Sequence, residues 1–399
     1  MKRELVITEQ LLRQCVELSR RGTVYLVCRL CIGRDHVKFL AHRVARGPSE
    51  PWAFLLTNTT EEPRDMPVLQ LSGNLRALFT SPLTGELDAL DYVKVLGLPV
   101  RVFPTVDCRV EASASAVVRE VEVLGPEYQP IRESYEVAFI GAGKTGFPGI
   151  DQICGRVKQI RVVDFDKVAE ENVPFLRGAE SWLGRSKVEF IAHAMYGRGS
   201  QIVPIAGDAT TPQVLEQLKT VDHIFLTCDR VLPRLAITLL AAQYLIPVTN
   251  TGVLVERQHD RVVMQGVVET TVPGVGPCFY CSRGLDLRQA WLESMIPEER
   301  RMGTSQGVLP EQLPSRPAIG SFSRRISDTA ITEFYNLYTA MKARVPRRLD
   351  VDDTGGQGYI RADFTWERDP NCPICNPTEG LLGLGDSEPI RGIGKGGVL

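Results

Sequence analysis

The stretch "VAFIGAGKTGFPGI", residues 137–150, joins an apolar run at 137–140 to Gly141, Gly143 and Gly146 in the spacing G-x-G-x-x-G. Such a loop leads a strand into a helix and offers backbone N–H groups to the phosphates of a nucleotide. Pro148 falls in the first turn of the helix that follows, where its missing N–H costs little. The glycines alone leave open whether the nucleotide is a nicotinamide cofactor or something else.

Working outward from this loop, the chain alternates between strand and helix. "YEVAFI", "IRVVDFD", "QIVPIAGD", "DHIFLTCD" and "IPVTN" have the apolar density of buried strands. Between them, "SKVEFIAHAMYG", "TPQVLEQLK" and "LPRLAITLLAAQYL" have helical periodicity. This pattern predicts a doubly wound, Rossmann-like α/β domain with a mostly parallel sheet. "RVVMQGVVE" opens an antiparallel extension, followed by a helix around "SDTAITEFYNLYTAMKA" and a strand around "QGYIRADFTWE".

The first 130 residues differ in texture and predict a smaller α/β accessory domain. A helix, "ITEQLLRQCVELSRR", precedes two strands paired around "GRD". "TNTTEEPRDMP" reads as loop, and "LSGNLRALF" and "LDALDYVKVLG" as further helices before a strand at "PVRVFP". "GPEYQPIRES" has linker composition, so the domains are expected at 1–130 and 131–376. A glycine-rich tail, 377–399, is expected to be mobile.

With 399 residues, 43% of them hydrophobic and 24% charged, the chain has material for ordinary cores. A net charge of −2 excludes a general attraction to nucleic acid or anionic membrane. The most apolar stretch, 231–248, is broken by Pro233, Arg234 and Gln243, which suits a buried helix and strand rather than a membrane span. "MKRELVITEQLLRQ" has no unbroken apolar segment for a secretory signal, so a soluble, cytoplasmic protein is expected.

Asp164 ends the second strand of the series, about 20 residues past the glycines, where an acid takes ribose hydroxyls. Asp166, Asn172 and Arg177 continue the loop with groups able to reach a triphosphate. Arg185 and Lys187 begin the next helix, and Asp229 ends the fourth strand, at the sheet edge where doubly wound folds bind ligands. A neutral nicotinamide needs neither two cations nor a further acid. A triphosphate with Mg²⁺ does. Taken singly, Arg185 and Lys187 read more readily as solvated surface charge and Asp229 as a helix cap, and it is their joint placement that favours the triphosphate.

Ten cysteines are present, and two pairs stand out: Cys278 with Cys281, and Cys372 with Cys375. Two C-x-x-C turns can give four thiolates to one tetrahedral Zn²⁺, a closed and therefore structural site. Disulfides are the alternative, disfavoured in a cytosolic chain.

Taken in order, "GAGKTG", "VVDFDKVAEENV", "GRSKVE", "TCDR" and "CFYC…CPIC" resemble the ThiF/MoeB/HesA family of ubiquitin-activating-type adenylyltransferases, over residues 135–376. The resemblance implies ATP-dependent adenylation of the C-terminal glycine carboxylate of a ubiquitin-like or sulfur-carrier protein. It implies that Gly141, Gly143 and Gly146 line the phosphates, Asp164 holds ribose, Asn172, Arg185 and Lys187 meet phosphate, and Asp229 holds Mg²⁺. It also implies a homodimer, and a ubiquitin-conjugating-type protein as a further partner.

Two departures stand beside the resemblance. The family pattern N-x-x-R meets Phe175, with Arg177 two positions on as a substitute. Residues 282–371 contain no cysteine, so an acyl acceptor there would be Thr304 or Ser305 in "GTSQGVL", forming an oxyester. Two alternative functions follow: a peptide-nucleotidylating adenylyltransferase, which needs no cysteine, and a scaffold subunit that Phe175 has disabled. The N-terminal region weakly resembles a JAB/MPN metalloprotease fold, but Phe79 and Ser81 occupy its histidine places, with Pro82 following and Asp91 near the acid's place. Without imidazole ligands the resemblance implies a degenerate domain kept for docking; an unrelated small α/β domain, including a degenerate adenylation half, is the alternative.

Overall fold

The computed structural model describes residues 2–19, 24–45, 53–56, 68–72, 75–78, 90–104, 118–125, 128–295, 317–339, 341–356, 358–365 and 367–390. In chain order its N-terminal part comprises β1 (Lys2–Thr8), α1 (Glu9–Ser19), β2 (Val24–Ile32), β3 (His36–Ala45), β4 (Ala53–Leu56), β5 (Val68–Ser72), β6 (Leu75–Leu78), β7 (Tyr92–Leu96) and β8 (Arg101–Pro104). Then come α2 (Val118–Leu124), α3 (Tyr128–Ser134), β9 (Glu136–Ile140), α4 (Gly146–Ile153), β10 (Gln159–Val163), α5 (Lys187–Ala194), β11 (Gln201–Ile205) and α6 (Pro212–Glu216). The remainder is β12 (His223–Leu226), α7 (Val231–Tyr244), β13 (Val248–Gln258), β14 (Arg261–Thr271), α8 (Leu287–Ser294), α9 (Gly320–Thr339), β15 (Arg348–Asp352) and β16 (Tyr359–Asp363).

The larger sheet runs β11-β10-β9-β12-β13-β14-β15-β16. Its first five strands pair in parallel and the last three add on antiparallel, as the sequence pattern predicts. By order along the chain those five strands stand 3-2-1-4-5, the doubly wound arrangement whose reversal lies between β9 and β12. Val137, Ala138, Phe139 and Ile140 are buried, as a strand covered on both faces requires. α9 packs across α4, β13 and β14, with Phe322, Ile326, Ala330, Phe334 and Leu337 spaced to fill one helical face. Among the described residues no helix is long and apolar enough to cross a membrane.

The smaller sheet runs β4-β2-β3-β1-β7-β8, with β1 parallel to both of its neighbours. Several N-terminal expectations are corrected. "LSGNLRALF" forms no helix but the end of β5 and the strand β6, which pair antiparallel. "LDALDYVKVLG" supplies β7, whose Val93 and Val95 alternate into one core while Lys94 and Leu96 face the other. The expected linker "GPEYQPIRES" contains helix α3, anchored by buried Tyr128 and Ile131. β1, ahead of the predicted helix, was not anticipated, because its single buried stretch is too short to show a period. Part of the tail is also held: the Asp386 carboxylate accepts from the Ile32 N–H at 2.7 Å, Lys219 Nζ at 3.0 Å and the Tyr244 hydroxyl at 2.9 Å.

The two sheets meet through a buried charge cluster. On β1, Leu5 and Ile7 pack with the core over α1, which leaves Glu4 and Val6 facing the larger sheet. Lys94 Nζ lies 2.5 Å from Asp222 Oδ1 and 3.1 Å from Glu4 Oε1. Lys38 lies 3.5 Å from Asp222 and 3.7 Å from Glu4, and Lys2 lies 3.5 Å from Asp222. Burial raises the Asp222 carboxyl, but Lys2, Lys94 and Lys38 outweigh it and hold the group well below the carboxylate range. Burial likewise opposes ionisation of Glu4, and Lys94 and Lys2 again prevail. His223, bonded to Tyr338 and Thr249 at 3.1 Å each, is pushed down to about 3 by burial and then by Lys94. Burial lowers His36 too.

Truncating one member strands its partners in a dry interface, so Lys94→Met is expected to cost about 3–5 kcal/mol in denaturant unfolding. The pH dependence follows in sign. Groups with depressed folded values bind more protons when unfolded, so the contribution of the two histidines is full above pH ~6.5 and is lost below it as His36 and His223 resist protonation. The carboxylates extend the loss at lower pH. His223→Gln is expected to reduce the slope between pH ~6.5 and ~4.5 by about one proton, read from melting temperature against pH.

Candidate nucleotide-binding cleft

The carboxyl ends of β9, β10 and β12 open onto a cleft of about 700 Å³. The three glycines serve it for different reasons. Gly141 has φ of +103°, and a Cβ there would press within 2.9 Å of the Cys228 backbone, so only glycine fits. At Gly146 a Cβ would collide with the Gly141 carbonyl oxygen; its absence lets α4 start directly against the strand end. Gly143 faces open space in the cleft wall, where a ligand can approach the backbone. Thr227, which the sequence reading passed over, closes the turn: its hydroxyl donates to the Gly141 carbonyl at 2.7 Å.

The Gly141 N–H donates to Val163 and the Ala142 N–H to Asp164 Oδ2, at 2.9 and 2.7 Å. The anion-binding end of α4 therefore begins at Gly143. Asp164, half-buried, also accepts the Asp166 N–H at 2.8 Å, so it holds the loop while facing the cleft.

The cleft brings together Gly141, Gly143, Asp164, Asp166, Asn172, Lys187 and Asp229. Buried Lys187 lies 2.9 Å from Asp166 Oδ2, and Asn172 Oδ1 accepts the Ala169 N–H at 3.1 Å. Asp229 has a side chain 55% exposed and within 4.0 Å of Lys144 Nζ. Arg177 and Arg185 do not line the cleft. Arg177 is exposed beside Gly178, and the Arg185 guanidinium lies over the Trp182 ring at 4.2 Å. Phe175 lines the wall near Gly320 at the start of α9. Thr304 and Ser305 fall outside the described residues, as do Phe79, Ser81 and Pro82, while Asp91 accepts the Arg3 N–H at 2.7 Å.

Two further residues emerge only in three dimensions. Arg234, on α7, donates to the Cys228 and Thr251 carbonyls at 2.8 and 2.9 Å and to Asn250 at 2.7 Å, pinning the turn that carries Asp229. Glu293, on α8, accepts the Leu232 N–H at 2.9 Å and lies 3.8 Å from Arg230. Nothing local in the sequence ties α8 to this site.

The sulfur atoms of Cys278, Cys281, Cys372 and Cys375 all lie within 4.8 Å of one another. Three of the edges measure 3.9, 3.7 and 3.5 Å. A tetrahedron with metal–sulfur bonds of ~2.3 Å has edges of about 3.8 Å, so the set fits one ion. The Ile374 and Cys375 N–H groups point at Cys372 Sγ at 3.4 and 3.5 Å and would share the charge of a thiolate.

Residues 116–374 match the ThiF family. Among solved structures, MccB of E. coli with ATP is 15% identical, with 62% of this chain and 69% of that chain covered at a TM-score of 0.47. MccB with N-formylated MccA is 15% identical, covering 62% and 70% at 0.48. PaaA is 14% identical, covering 64% and 86% at 0.45. No protein of curated function matches the chain.

The four-thiol geometry predicts one metal ion per chain. Cys278→Ser is expected to abolish stoichiometric metal in elemental analysis and to lower the melting temperature, since binding and folding are coupled. Undiminished metal in that variant would refute the assignment.

Proposed function

Because this chain belongs to the ThiF family and is an ATP-dependent adenylyltransferase, we propose that it adenylates the C-terminal glycine carboxylate of a ubiquitin-like or sulfur-carrier protein. The observation that carries the reading is the meeting of the glycine loop, Asp164, Asn172, Lys187 and Asp229 in one cleft at the strand-order reversal. A substrate carboxylate oxygen attacks the α-phosphorus and forms an acyl–O–P bond. The bond from the α-phosphorus to the bridging oxygen breaks, and its electron pair leaves with pyrophosphate. Both reactants are anions, so the amides from Gly143 onward and Lys187 act by offsetting charge. Asp229 would hold Mg²⁺, which when bound spreads the charge of the leaving pyrophosphate.

The four cysteines would hold a structural Zn²⁺ that ties the turn after β14 to residues 372–375, and residues 1–130 would form a non-catalytic accessory domain. A homodimer is part of the same proposal; sedimentation as a monomer at micromolar concentration would count against it. The cysteine-free run 282–371 favours a second reading, in which the acceptor is a short peptide and no thioester follows. In that reading Thr304 and Ser305 have no covalent role.

Pyrophosphate exchange tests the proposal. Exchange that requires a carrier ending in glycine supports the first reading, and exchange with a short peptide the second. Exchange with neither would overturn both and favour a scaffold. In whichever assay responds, Asp229→Ala is expected to lose roughly 100-fold or more in exchange rate, with nucleotide-free stability unchanged.

A further inference from the structure

Lys144 occupies the middle of the glycine loop, between Gly143 and Thr145, and has no part in the backbone geometry that the glycines explain. Its side chain is 17% exposed and lines the cleft, with Nζ 4.0 Å from Asp229 Oδ2. Of the other cations that line the cleft, Lys167 is exposed and two already hold acidic partners. Lys187 is buried against Asp166 at 2.9 Å, and Arg230 sits between Asp208 at 3.9 Å and Glu293 at 3.8 Å. Phe175 brings no charge to the wall it lines.

The amides of Gly141 and Ala142 are already taken by Val163 and Asp164, so bound phosphate falls to the stretch from Gly143 to Gly146, where Lys144 stands. Asp229, one of its contacts, is more than half exposed, and an ion pair of that kind at 4.0 Å is weak and readily exchanged for a phosphate. A lysine on a glycine-rich phosphate loop is also well placed to reach beyond the first phosphate, because its long stem carries a compact charge.

We propose that Lys144 is a phosphate-binding residue of this cleft: its ammonium, 4.0 Å from Asp229, moves to the α- and β-phosphates when nucleotide enters. The move frees Asp229 for a cation. It also places an ammonium where negative charge gathers as the bond between the α-phosphorus and the bridging oxygen breaks and its electron pair passes to pyrophosphate. The proposal rests on the adenylyltransferase reading of the same cleft.

The test compares ATP with adenosine, which shares the base and ribose but lacks phosphate, by calorimetric titration of the full-length protein. Lys144→Met is expected to weaken ATP about tenfold or more while adenosine binds within about twofold of the unaltered protein. Pyrophosphate exchange should fall roughly 100-fold, and Lys144→Arg should recover most of the ATP affinity. Equal ATP affinity and exchange in Lys144→Met overturns the proposal, as does a parallel loss of ATP and adenosine, which marks a structural role. If Lys144→Met fails to fold, Lys144→Gln is judged by the same comparison. An unaltered protein that binds ATP no better than adenosine would instead refute the reading of the cleft itself.

Discussion

The structure around the cleft depends on one close approach. The end of β9, the start of α4 and the end of β12 meet with no room for a side-chain carbon at Gly141 or Gly146, and the Thr227 hydroxyl closes the contact on the Gly141 carbonyl. Strand-to-helix distance, the aim of the first helical N–H groups and the position of the Cys228–Asp229 turn are all set by it. A methyl group at either glycine would push α4 off the strand and turn those amides away from the cleft. Arg234 reinforces the same point from α7 by holding the Cys228 carbonyl, just past β12, and the Thr251 carbonyl within β13.

The cleft concentrates charge of both signs. Asp164, Asp166, Asp208 and Asp229 line it together with Lys144, Lys187 and Arg230. Much of that charge is mutually paired, so it is largely balanced within the cleft and can exchange partners when an anionic ligand enters. A surface of unpaired cations would bind any polyanion. A paired one demands a ligand whose own geometry repays the broken contacts, which favours selectivity over simple attraction.

A different economy governs the junction of the two sheets. There Lys38 and Lys94 face Glu4 and Asp222 out of contact with bulk water, with Lys2 partly exposed at the edge and Tyr135 under the Lys94 ammonium at 4.8 Å. Such a cluster adds little net stability relative to apolar packing, but it punishes misregistration heavily, because a shift of one residue would bury charges without partners. The C-terminal segment reads the same junction from its rim, where Asp386 touches β2, Lys219 and α7 together.

How much of this was legible beforehand depends on the range of the interactions. The parallel series, the helices between its strands and the antiparallel extension follow from local period and apolar density, and the family from the order of short motifs. The four cysteines were legible because C-x-x-C already brings two sulfurs to one turn. The strands β2, β3 and β8 are legible in the N-terminal sequence, whereas the stretch of β7 reads as helix because it presents alternate residues to two cores, a pattern that resembles an amphipathic helix when neither core is known. Arg177 and Arg185 belonged to the expected site by their place in the chain, but Trp182 stacking and the turn at Gly178 direct them elsewhere. Lys144 was visible in the motif, yet its meaning came only with Asp229, 85 residues on. The doubly wound core and the glycine loop follow from the order of residues alone, since both rest on periodicity and on backbone sterics within a few residues. Only the tertiary structure decided which charges share the cleft and which are spent holding the two sheets together, because a charge's role is set by the partners that folding brings within a few ångströms of it.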